Sequence, residues 1–356
     1  MRIIHCSDIH VGAAMKNLPI EKAKIRKREL LDSLMRIIDF AKEKHVQAII
    51  IAGDLFDNRK IARSIKKEIV EKISSVPDVD FLYLTGNHDN DFDISYDEEI
   101  ILPQNLKRFD TFDDWKYFYY NDVCIAGIDI AKQSGTGFYE KLKLDKSKIN
   151  IAVMHGTLGS INIERLRGKN IDYLALGDKH SPDIQACKID TRGVFAYSGC
   201  LEGCGFDETG KKGYFLLSIE KGKINRDFCL SSKRQYEIID VDITNCDNHL
   251  MINKAIRLKT EAMNKNNIIR VILKGKYKAD THKEIINIEN KLNEEFFFAQ
   301  IRDESFLDRE SVDFNNEISL RREFVNLIDL SGLEQEQKDK IIEYGIKALS
   351  GEDLDL

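Results

Sequence analysis

Short runs of apolar, often β-branched residues alternate with longer amphipathic stretches through the first 230 positions of the chain. Several runs are apolar at consecutive positions, a pattern typical of strands that are buried on both faces of a sheet. The predicted strands are residues 2–6, 46–52, 79–84, 123–128, 149–154, 171–176, 194–197 and 214–219.

Two amphipathic helices are predicted between the early strands, because apolar residues recur there every three or four positions. The recurring residues are Leu30, Leu34, Ile37 and Ala41 in the first helix, and Ile61, Ile65, Ile69 and Ile73 in the second. Strands that alternate with helices predict a layered α/β fold for the first domain, residues 1–230.

The pattern restarts after a polar stretch at residues 231–235. A second alternation of strands and helices predicts a small α/β domain over residues 235–303. Its elements are strands at 236–243, 268–274 and 296–301, and helices at 249–264 and 281–293.

Residues 306–356 are predicted to form a helical C-terminal tail, with amphipathic helices at 320–330 and 334–349. The tail holds thirteen acidic and six basic side chains, a net charge of −7. The whole chain carries −6, so residues 1–305 carry +1. The acidity therefore does not exclude nucleic acid as a ligand, because phosphate contacts depend on local basic patches. The apolar faces of the tail helices pack either on the chain itself or on a partner.

The composition predicts a cytoplasmic protein without a membrane segment. Of the 356 residues, 42% are hydrophobic and 32% are charged, which is typical of a folded chain. No apolar run approaches the ~20 residues that a membrane-spanning helix needs, and His5 and Asp8 fall where a signal peptide would be apolar. The seven cysteines show no Cys-x-x-Cys spacing, in keeping with a reduced compartment.

A polar cluster follows each of five predicted strands, in most cases with a glycine in the turn. The carboxyl ends of strands in an open α/β sheet share one edge, where ligands bind. A single Asp or Asn at a strand end is more often a cap, but five clusters in one register favour a site. The side chains that folding is predicted to bring together are Asp8, His10, Asp54, Asn87, His155, Asp178 and His180.

Seven oxygen and imidazole ligands are too many for one metal ion with open positions, and they suit two adjacent divalent ions. Mixed carboxylate and imidazole ligands favour manganese, iron or zinc over calcium or magnesium. Two such ions can hold the attacking and the leaving oxygen of a phosphoester, and they lower the pKa of water. The predicted chemistry is phosphoester hydrolysis with two divalent metal ions, manganese first among them.

The strand-end motifs resemble those of the calcineurin-like metallophosphoesterases, and within them the SbcD and meiotic-recombination family of double-strand-break repair nucleases. The resemblance covers about residues 1–300 and implies a layered αββα sandwich followed by a small cap domain that positions DNA. The motifs that carry it are Asp8-x-His10, Gly53-Asp54, Gly86-Asn87-His88-Asp89, His155-Gly156, Gly177-x-x-His180 and the segment at residues 197–202.

The resemblance also implies a role for each motif residue. His88 would be the catalytic general acid that protonates the leaving sugar oxygen. The metal ligands would divide into Asp8, His10 and His180 for one ion, Asn87 and His155 for the other, and Asp54 as a bridge between the two.

Position 178 departs from the family, whose pattern is Gly-His-x-His where this chain has Gly-Asp-Lys-His at residues 177–180. A carboxylate can bind the same ions, so Asp178 is predicted to be a metal ligand that changes the metal preference or the rate. The alternatives are that Asp178 caps the following turn, or that the activity is lost.

Two basic runs follow the first two motif loops. Each is either a solvated helix face or a contact to the DNA backbone. The first run is residues 22–28, and the second contains the predicted DNA contacts Arg59, Lys60 and Arg63.

The predicted function is a two-metal DNA nuclease, an exonuclease or endonuclease of DNA repair, that works with an SMC-like ATPase of the SbcC type. The expected partners are DNA, this ATPase, which would dock on the tail, and a second copy of the chain. Two alternatives stay open: a calcineurin-like phosphodiesterase of small nucleotides, and a weakly active adaptor that tethers an ATPase to DNA ends.

Overall fold

A computed structural model of the chain describes residues 1–15, 17–57, 61–89, 100–109, 114–133, 135–278, 281–308 and 320–349. The chain divides into two compact units, Met1–Tyr236 and Glu237–Leu356. Each unit has hydrophobic clusters of its own. Among the helices in the described ranges, none combines the length and the apolar composition that crossing a bilayer requires.

The first unit contains two stacked six-stranded sheets, ordered β12-β11-β1-β2-β3-β4 and β5-β6-β7-β8-β10-β9. The strands are β1 (Arg2–Cys6), β2 (Ala48–Ala52), β3 (Asp80–Leu84), β4 (Leu106–Arg108), β5 (Lys116–Tyr120), β6 (Val123–Gly127), β7 (Ile149–His155), β8 (Tyr173–Gly177), β9 (Cys187–Lys188), β10 (Val194–Tyr197), β11 (Gly213–Glu220) and β12 (Lys223–Leu230). All eight strands predicted for this unit are confirmed, and β4, β5, β9 and β12 are additional.

Four neighbouring strands of each sheet are parallel. They are β1 to β4 in the first sheet, where β4 is the edge strand, and β6, β7, β8 and β10 in the second. Ile50 and Leu82 of the first sheet share one buried cluster with Ile151 and Val153 of the second. The core between the sheets therefore consists of alternate residues of strands that run through the middle of the unit.

The outer face of the first sheet is covered by two helices, α1 (Ile20–Glu43) and α2 (Arg63–Ser74). Leu34 and Ile37 of α1 lie in one hydrophobic cluster with Ile69 of α2 and with side chains of the first sheet. The two amphipathic helices and the faces that they bury are confirmed, except that Ile61 precedes α2 and packs on the cluster from outside the helix.

The outer face of the second sheet has a different cover. The only α-helix described there, α3 (Phe138–Lys141), has four residues, and 3₁₀ turns lie at Ile130–Lys132 and Ile163–Leu166. Trp115 of a loop and Leu166 of the second 3₁₀ turn are among the side chains that close this cluster. The layered α/β class with stacked sheets is confirmed, while in the described ranges short turns and loops take the place of the second helical layer.

The second unit is built on a three-stranded sheet ordered β13-β14-β16, with a small parallel pair of β15 and β17. Its elements are β13 (Tyr236–Asp242), α4 (His249–Thr260), β14 (Ile268–Lys274), β15 (Lys276–Tyr277), α5 (Ile285–Glu295), β16 (Phe298–Asp303), β17 (Phe306–Leu307), α6 (Leu320–Asp329) and α7 (Gln335–Leu349). Val325 of α6 and Ile342 and Ile346 of α7 lie in the same buried cluster as Val271 of β14. The tail helices thus contribute to the core of this unit.

Candidate metal centre

The carboxyl ends of parallel strands from both sheets meet at one edge of the first unit. The predicted ligands follow or end these strands: Asp8 and His10 after β1, Asp54 after β2, Asn87 after β3, His155 at the end of β7, and Asp178 and His180 after β8. The site is therefore assembled across two sheets and not along one.

The loops at this edge hold several residues in the left-handed region of backbone conformation. The φ angles are 50° for Asp8, 50° for His10, 54° for Asp54 and 101° for Asp178. The backbone N–H of Asp8 donates to Gly53 O and that of His10 donates to Asp54 O, each at 3.0 Å. Left-handed conformations are unfavourable for side chains other than glycine, and they cluster at sites whose surroundings enforce them.

Asp89 joins two of the motif loops. Its buried carboxylate accepts hydrogen bonds from the backbone N–H groups of Leu55 (3.2 Å), Phe56 (2.9 Å) and Gly86 (3.0 Å). Burial raises the pKa of Asp89 to about 6. Gly86 is required beside it, because a Cβ atom there would overlap the carboxylate of Asp54. The last residue of the Gly-Asn-His-Asp motif thus holds the loops in place.

Asp8, His10 and His180 form a first group of candidate ligands, whose ligand atoms all lie within 4.8 Å of one another. The Nε2 atoms of His10 and His180 are 3.0 Å apart. The fully buried carboxylate of Asp8 accepts hydrogen bonds from Ser7 Oγ at 2.5 Å and from the N–H of Asp178 at 2.9 Å. The structure brings together the three residues predicted for one ion.

A second group is built around His155. Its Nε2 atom lies 2.9 Å from Asn87 Oδ1 and 3.4 Å from Asp54 Oδ2. Its Nδ1 atom lies 2.8 Å from the carbonyl oxygen of Ala52 and so can donate to it, which turns Nε2 toward the other ligands. Asp54 Oδ2 is also 3.8 Å from His10 Nε2. Asp54 therefore lies between the two groups.

His88 lies at the rim of the centre beside a carboxylate that the sequence analysis did not assign to the site. Asp57 Oδ1 is 3.3 Å from His10 Nδ1 and 3.6 Å from His88 Nδ1. The side chain of His88 is 44% exposed, and its backbone N–H donates to Asp54 Oδ1 at 2.9 Å. The one signal for Asp57 was its position three residues after Asp54 in the same loop.

Asp178 lies on the His155 side of the centre. Its Oδ1 atom is 3.8 Å from His155 Nε2, and Asp178 lines a cavity of about 400 Å³ together with Asn87 and His155. It is not a member of the three compact groups of ligands found in the described ranges. Its carboxylate thus faces the site from farther away than the other predicted ligands.

The charges of the centre attract cations. Burial alone would raise the pKa of Asp54, but the hydrogen bond and charge of His155 outweigh burial and hold that pKa below its usual value. Burial likewise opposes protonation of His155, yet Asp54 and Asp8 raise its pKa to about 9. A hydrogen bond to Glu208 raises the pKa of His180. Two imidazoles that favour the protonated form indicate a surplus of negative charge that metal ions would neutralise.

The residues present fit a pair of divalent metal ions. Two nitrogen lone pairs that face each other at 3.0 Å, as on His10 and His180, repel unless a proton or a cation lies between them. His155 Nε2 faces the oxygen atoms of Asn87 and Asp54, which are acceptors as well. Converging carboxylate, amide and imidazole groups of this kind suit manganese, iron or zinc.

Glu208 is a further residue of the centre that the sequence analysis missed. Its Oε1 atom lies 2.5 Å from His180 Nδ1. It stands 28 positions after His180, in a stretch without a periodic pattern, so only its place a few residues after the Tyr197-Ser198-Gly199 segment could have drawn attention to it.

The predicted DNA contacts are only partly described. Arg59 and Lys60 lie outside the described residues, whereas Arg63 begins α2 and is exposed. In the first basic run, Arg26 is fully buried and forms an ion pair with Glu202 at 3.0 Å. The interpretation of Arg26 as a solvated or DNA-contacting side chain is therefore wrong, because its guanidinium is enclosed by its own carboxylate partners.

The sequence of the chain is similar to those of known proteins. The calcineurin-like phosphoesterase family model matches residues 1–183. The uncharacterized metallophosphoesterase YhaO of Bacillus subtilis is 24% identical over 300 residues, which cover 77% of this chain and 72% of YhaO. The DNA double-strand break repair protein Mre11 of Halobacterium salinarum is 25% identical over 277 residues, 72% of this chain and 67% of that protein.

A second protein named Mre11, from Sulfurisphaera tokodaii, is 25% identical over 307 residues, which cover 77% of this chain and 74% of that protein. The family match includes every motif from Asp8 to His180 and spans more than half of the chain. The chain therefore belongs to the calcineurin-like phosphoesterase family and is a metal-dependent phosphoesterase.

Proposed function

We propose that this chain is a two-metal DNA nuclease of DNA repair. The observation that carries the proposal is the meeting of two ligand groups, joined by Asp54, beside a solvent-accessible histidine. This arrangement supports phosphodiester hydrolysis on a substrate that reaches the site from solvent. Relatives named for DNA double-strand break repair, which align with most of the chain, support DNA as that substrate.

Metal binding and proton donation would be carried out by different residues of the chain. Divalent ions bound to the two groups would stabilise the charge of the phosphate and activate the attacking water. The Nδ1 atom of His88 faces Asp57, so its Nε2 atom is left to give a proton to the leaving sugar oxygen. A hydrogen bond from His10 holds the pKa of Asp57 below its usual value, so an ionised carboxylate faces Nδ1 of His88 and orients the ring.

Release of nucleotides from end-labelled DNA tests the proposal. With Mn²⁺ the purified chain should release soluble nucleotides, and both a chelator and Asp54→Asn should abolish the release. Cleavage of bis-p-nitrophenyl phosphate or cyclic nucleotides without cleavage of DNA would instead identify a phosphodiesterase of small nucleotides. Binding to DNA ends without cleavage of any of these substrates would identify an adaptor.

Binding of DNA through its phosphates is a second part of the proposal. Neutralising Arg59, Lys60 and Arg63 together should weaken binding alike for unrelated sequences. It should also flatten the dependence of log K on log salt by about 0.9 for each lost phosphate contact. A control variant replaces three exposed lysines that precede β7: Lys141, Lys143 and Lys146. An unchanged salt slope in the first variant would make that run a solvated face.

We also propose that an SMC-like ATPase docks on the tail helices α6 and α7. Val325 and Ile342 bury one side of these helices in the second unit. Leu327 of α6 and Leu330, the residue directly after α6, are 68% and 86% exposed. An exposed apolar helix face of this kind suits the groove or coiled coil of a helical partner.

Surface substitutions test the docking better than truncation, because truncation would remove Val325 and Ile342 from a core. Leu327→Glu combined with Leu330→Glu should abolish coelution with a purified SMC-like ATPase from the same genome and leave cleavage by the chain alone unchanged. Leu258→Glu, at a leucine of α4 that is 71% exposed, is the matched control. Coelution equal to that of the wild type would contradict the proposal. Light scattering of the same samples tests the predicted homodimer.

A further inference from the structure

His180 is held from two directions by the segment that follows β10. Its ring nitrogen Nδ1 lies 2.5 Å from Glu208 Oε1. Its carbonyl oxygen accepts hydrogen bonds from Lys212 Nζ at 2.8 Å and from the N–H of Cys200 at 3.3 Å. The Nζ atom of Lys212 reaches this carbonyl from a side chain that is almost fully buried. Both the ring and the backbone of His180 are thus fixed by one stretch of chain.

The second oxygen of Glu208 is also engaged. Oε2 accepts a hydrogen bond from the backbone N–H of Cys204 at 2.7 Å. An ionised carboxylate only accepts hydrogen bonds, so Glu208 can satisfy the Cys204 donor and a donor on His180 at the same time. The Glu208 side chain is 12% exposed, which leaves little room for water to replace either contact.

This geometry selects one form of the His180 ring. With an acceptor at Nδ1, the neutral ring carries its proton on Nδ1 and keeps the lone pair of Nε2. The Nε2 atom is the one that lies 3.0 Å from His10 Nε2, inside the first ligand group. A histidine that donates its other N–H to a carboxylate is oriented as a ligand and is more basic.

We infer that Glu208 is the positioning residue of the centre, which fixes the tautomer and the ring orientation of His180 for metal binding. The inference rests on the proposed role of His180 as a metal ligand. It assigns no contact between Glu208 and the metal ions or the substrate.

The hydrogen bond from the Cys204 N–H determines how the side-chain amide of a glutamine at position 208 would be oriented. The single side-chain oxygen of Glu208→Gln would accept from the Cys204 N–H, so its NH₂ group would face His180. That group would donate to Nδ1 and drive the ring proton to Nε2, where it blocks metal binding. In Glu208→Ala, water in the space that the removed side chain leaves can accept from Nδ1, so the ligating tautomer remains accessible.

The experiment is a titration of the metal-free, full-length chain with Mn²⁺, followed by calorimetry. The wild type should bind two ions. Glu208→Ala should weaken one site by about tenfold and Glu208→Gln by about 100-fold, the range for partners of metal ligands. Asp207→Asn, which changes the exposed neighbouring carboxylate, should bind as the wild type does.

A second readout does not involve the metal. The ¹⁵N shifts of the His180 ring in the metal-free chain, at a pH where the ring is neutral, should place the proton on Nδ1 in the wild type and on Nε2 in Glu208→Gln. If Glu208→Gln bound Mn²⁺ as tightly as the wild type and Glu208→Ala bound it less tightly, Glu208 would only support the loop. That result would overturn the inference. A wild type that binds no Mn²⁺ would overturn the proposed function as well, whereas normal wild-type binding with unaffected variants would overturn the inference alone.

Discussion

Two histidines reach the candidate metal centre from the second sheet, and they are anchored in different ways. His155 is buried between the sheets and contacts the carbonyl oxygen of Ala52, the last residue of β2. His180 is partly exposed and contacts the side chain of Glu208. The backbone anchor of His155 cannot be removed by substituting Ala52, whereas the anchor of His180 depends on one side chain. The His155 half of the centre is therefore anchored by the backbone, and the His180 half is anchored by a side chain that a substitution can remove.

The first prediction concerns Asp54, which lies between the two halves of the centre. Asp54→Asn takes away the carboxylate between His10 and His155, so both ions should bind weakly. Because bound ions supply several kcal/mol to phosphoester hydrolysis, the rate of Mn²⁺-dependent cleavage should fall by about 10³-fold or more. Metal content and cleavage of labelled DNA measure the effect, with Asp207→Asn as the control. Two tightly bound ions in Asp54→Asn would contradict its bridging position.

The second prediction concerns a residue that belongs to neither half. His88→Gln should keep both ions and lower the rate of cleavage by about 10²-fold, the usual contribution of a general acid. His282→Gln, at an exposed histidine of the second unit, is the control. Elemental analysis separates the possible roles, because loss of one ion in His88→Gln would make His88 a metal ligand.

The third prediction tests whether Asp178 belongs to the His155 half. Asp178→Ala should weaken the binding of one ion and reduce cleavage by roughly tenfold, because its carboxylate lies 3.8 Å from His155 Nε2. Asp178→His should retain two ions and shift the preference from manganese toward zinc, because imidazole is softer than carboxylate. Metal content after loading with equal Mn²⁺ and Zn²⁺ measures both effects. Two ions and a normal rate in Asp178→Ala would make Asp178 a turn cap.

The fourth prediction compares His155 with His5, a buried histidine outside the centre. His5 contacts Tyr173 Oη at 2.8 Å and Leu176 O at 3.2 Å, and burial lowers its pKa to about 3. The pKa of His155 is raised to about 9. The unfolded value for both is about 6.5, so the folded chain resists protonation of His5 and favours protonation of His155.

Their effects on the free energy of unfolding of the metal-free chain should therefore have opposite signs. The contribution of His5 should be lost as the pH falls from 6.5 toward 3, and that of His155 as the pH rises from 6.5 through 9. Each slope is at most about 1.4 kcal/mol per pH unit. Urea unfolding of His5→Gln should show a flatter acid side, and that of His155→Gln a flatter alkaline side. Identical pH profiles for the wild type and a variant would contradict the environment assigned to that histidine.

Strand prediction succeeded where burial on both faces left a continuous apolar run, as in β2 and β8. It failed for β12, whose residues alternate between half-buried and exposed and include Lys, Asn, Arg and Asp. Pairing with β11, and not burial, makes that segment a strand. A local apolar pattern cannot reveal a strand of this kind, because the information lies in its neighbour.

The chain order of the motifs was enough to predict that Asp8 and Asp54 would meet, since they follow neighbouring parallel strands of one sheet. The approach of His155 from the other sheet depends on how the two sheets stack, and no local pattern encodes that. Arg26 illustrates the same limit of prediction from local patterns. It lies off the predicted apolar face of α1, yet it is buried in an ion pair with Glu202, a residue far away in the chain.

The amino-acid sequence by itself determined the strands that carry continuous apolar runs, the two helices of the first sheet and the types of side chain at the strand ends, because periodicity and motif spacing are local properties. Only the tertiary structure decided which ring nitrogen of each histidine faces the centre, that Asp57 lies between two histidines, and that Glu208 contacts His180. Those choices depend on distances of a few ångströms between loops that are remote in the chain, and such distances are set by packing.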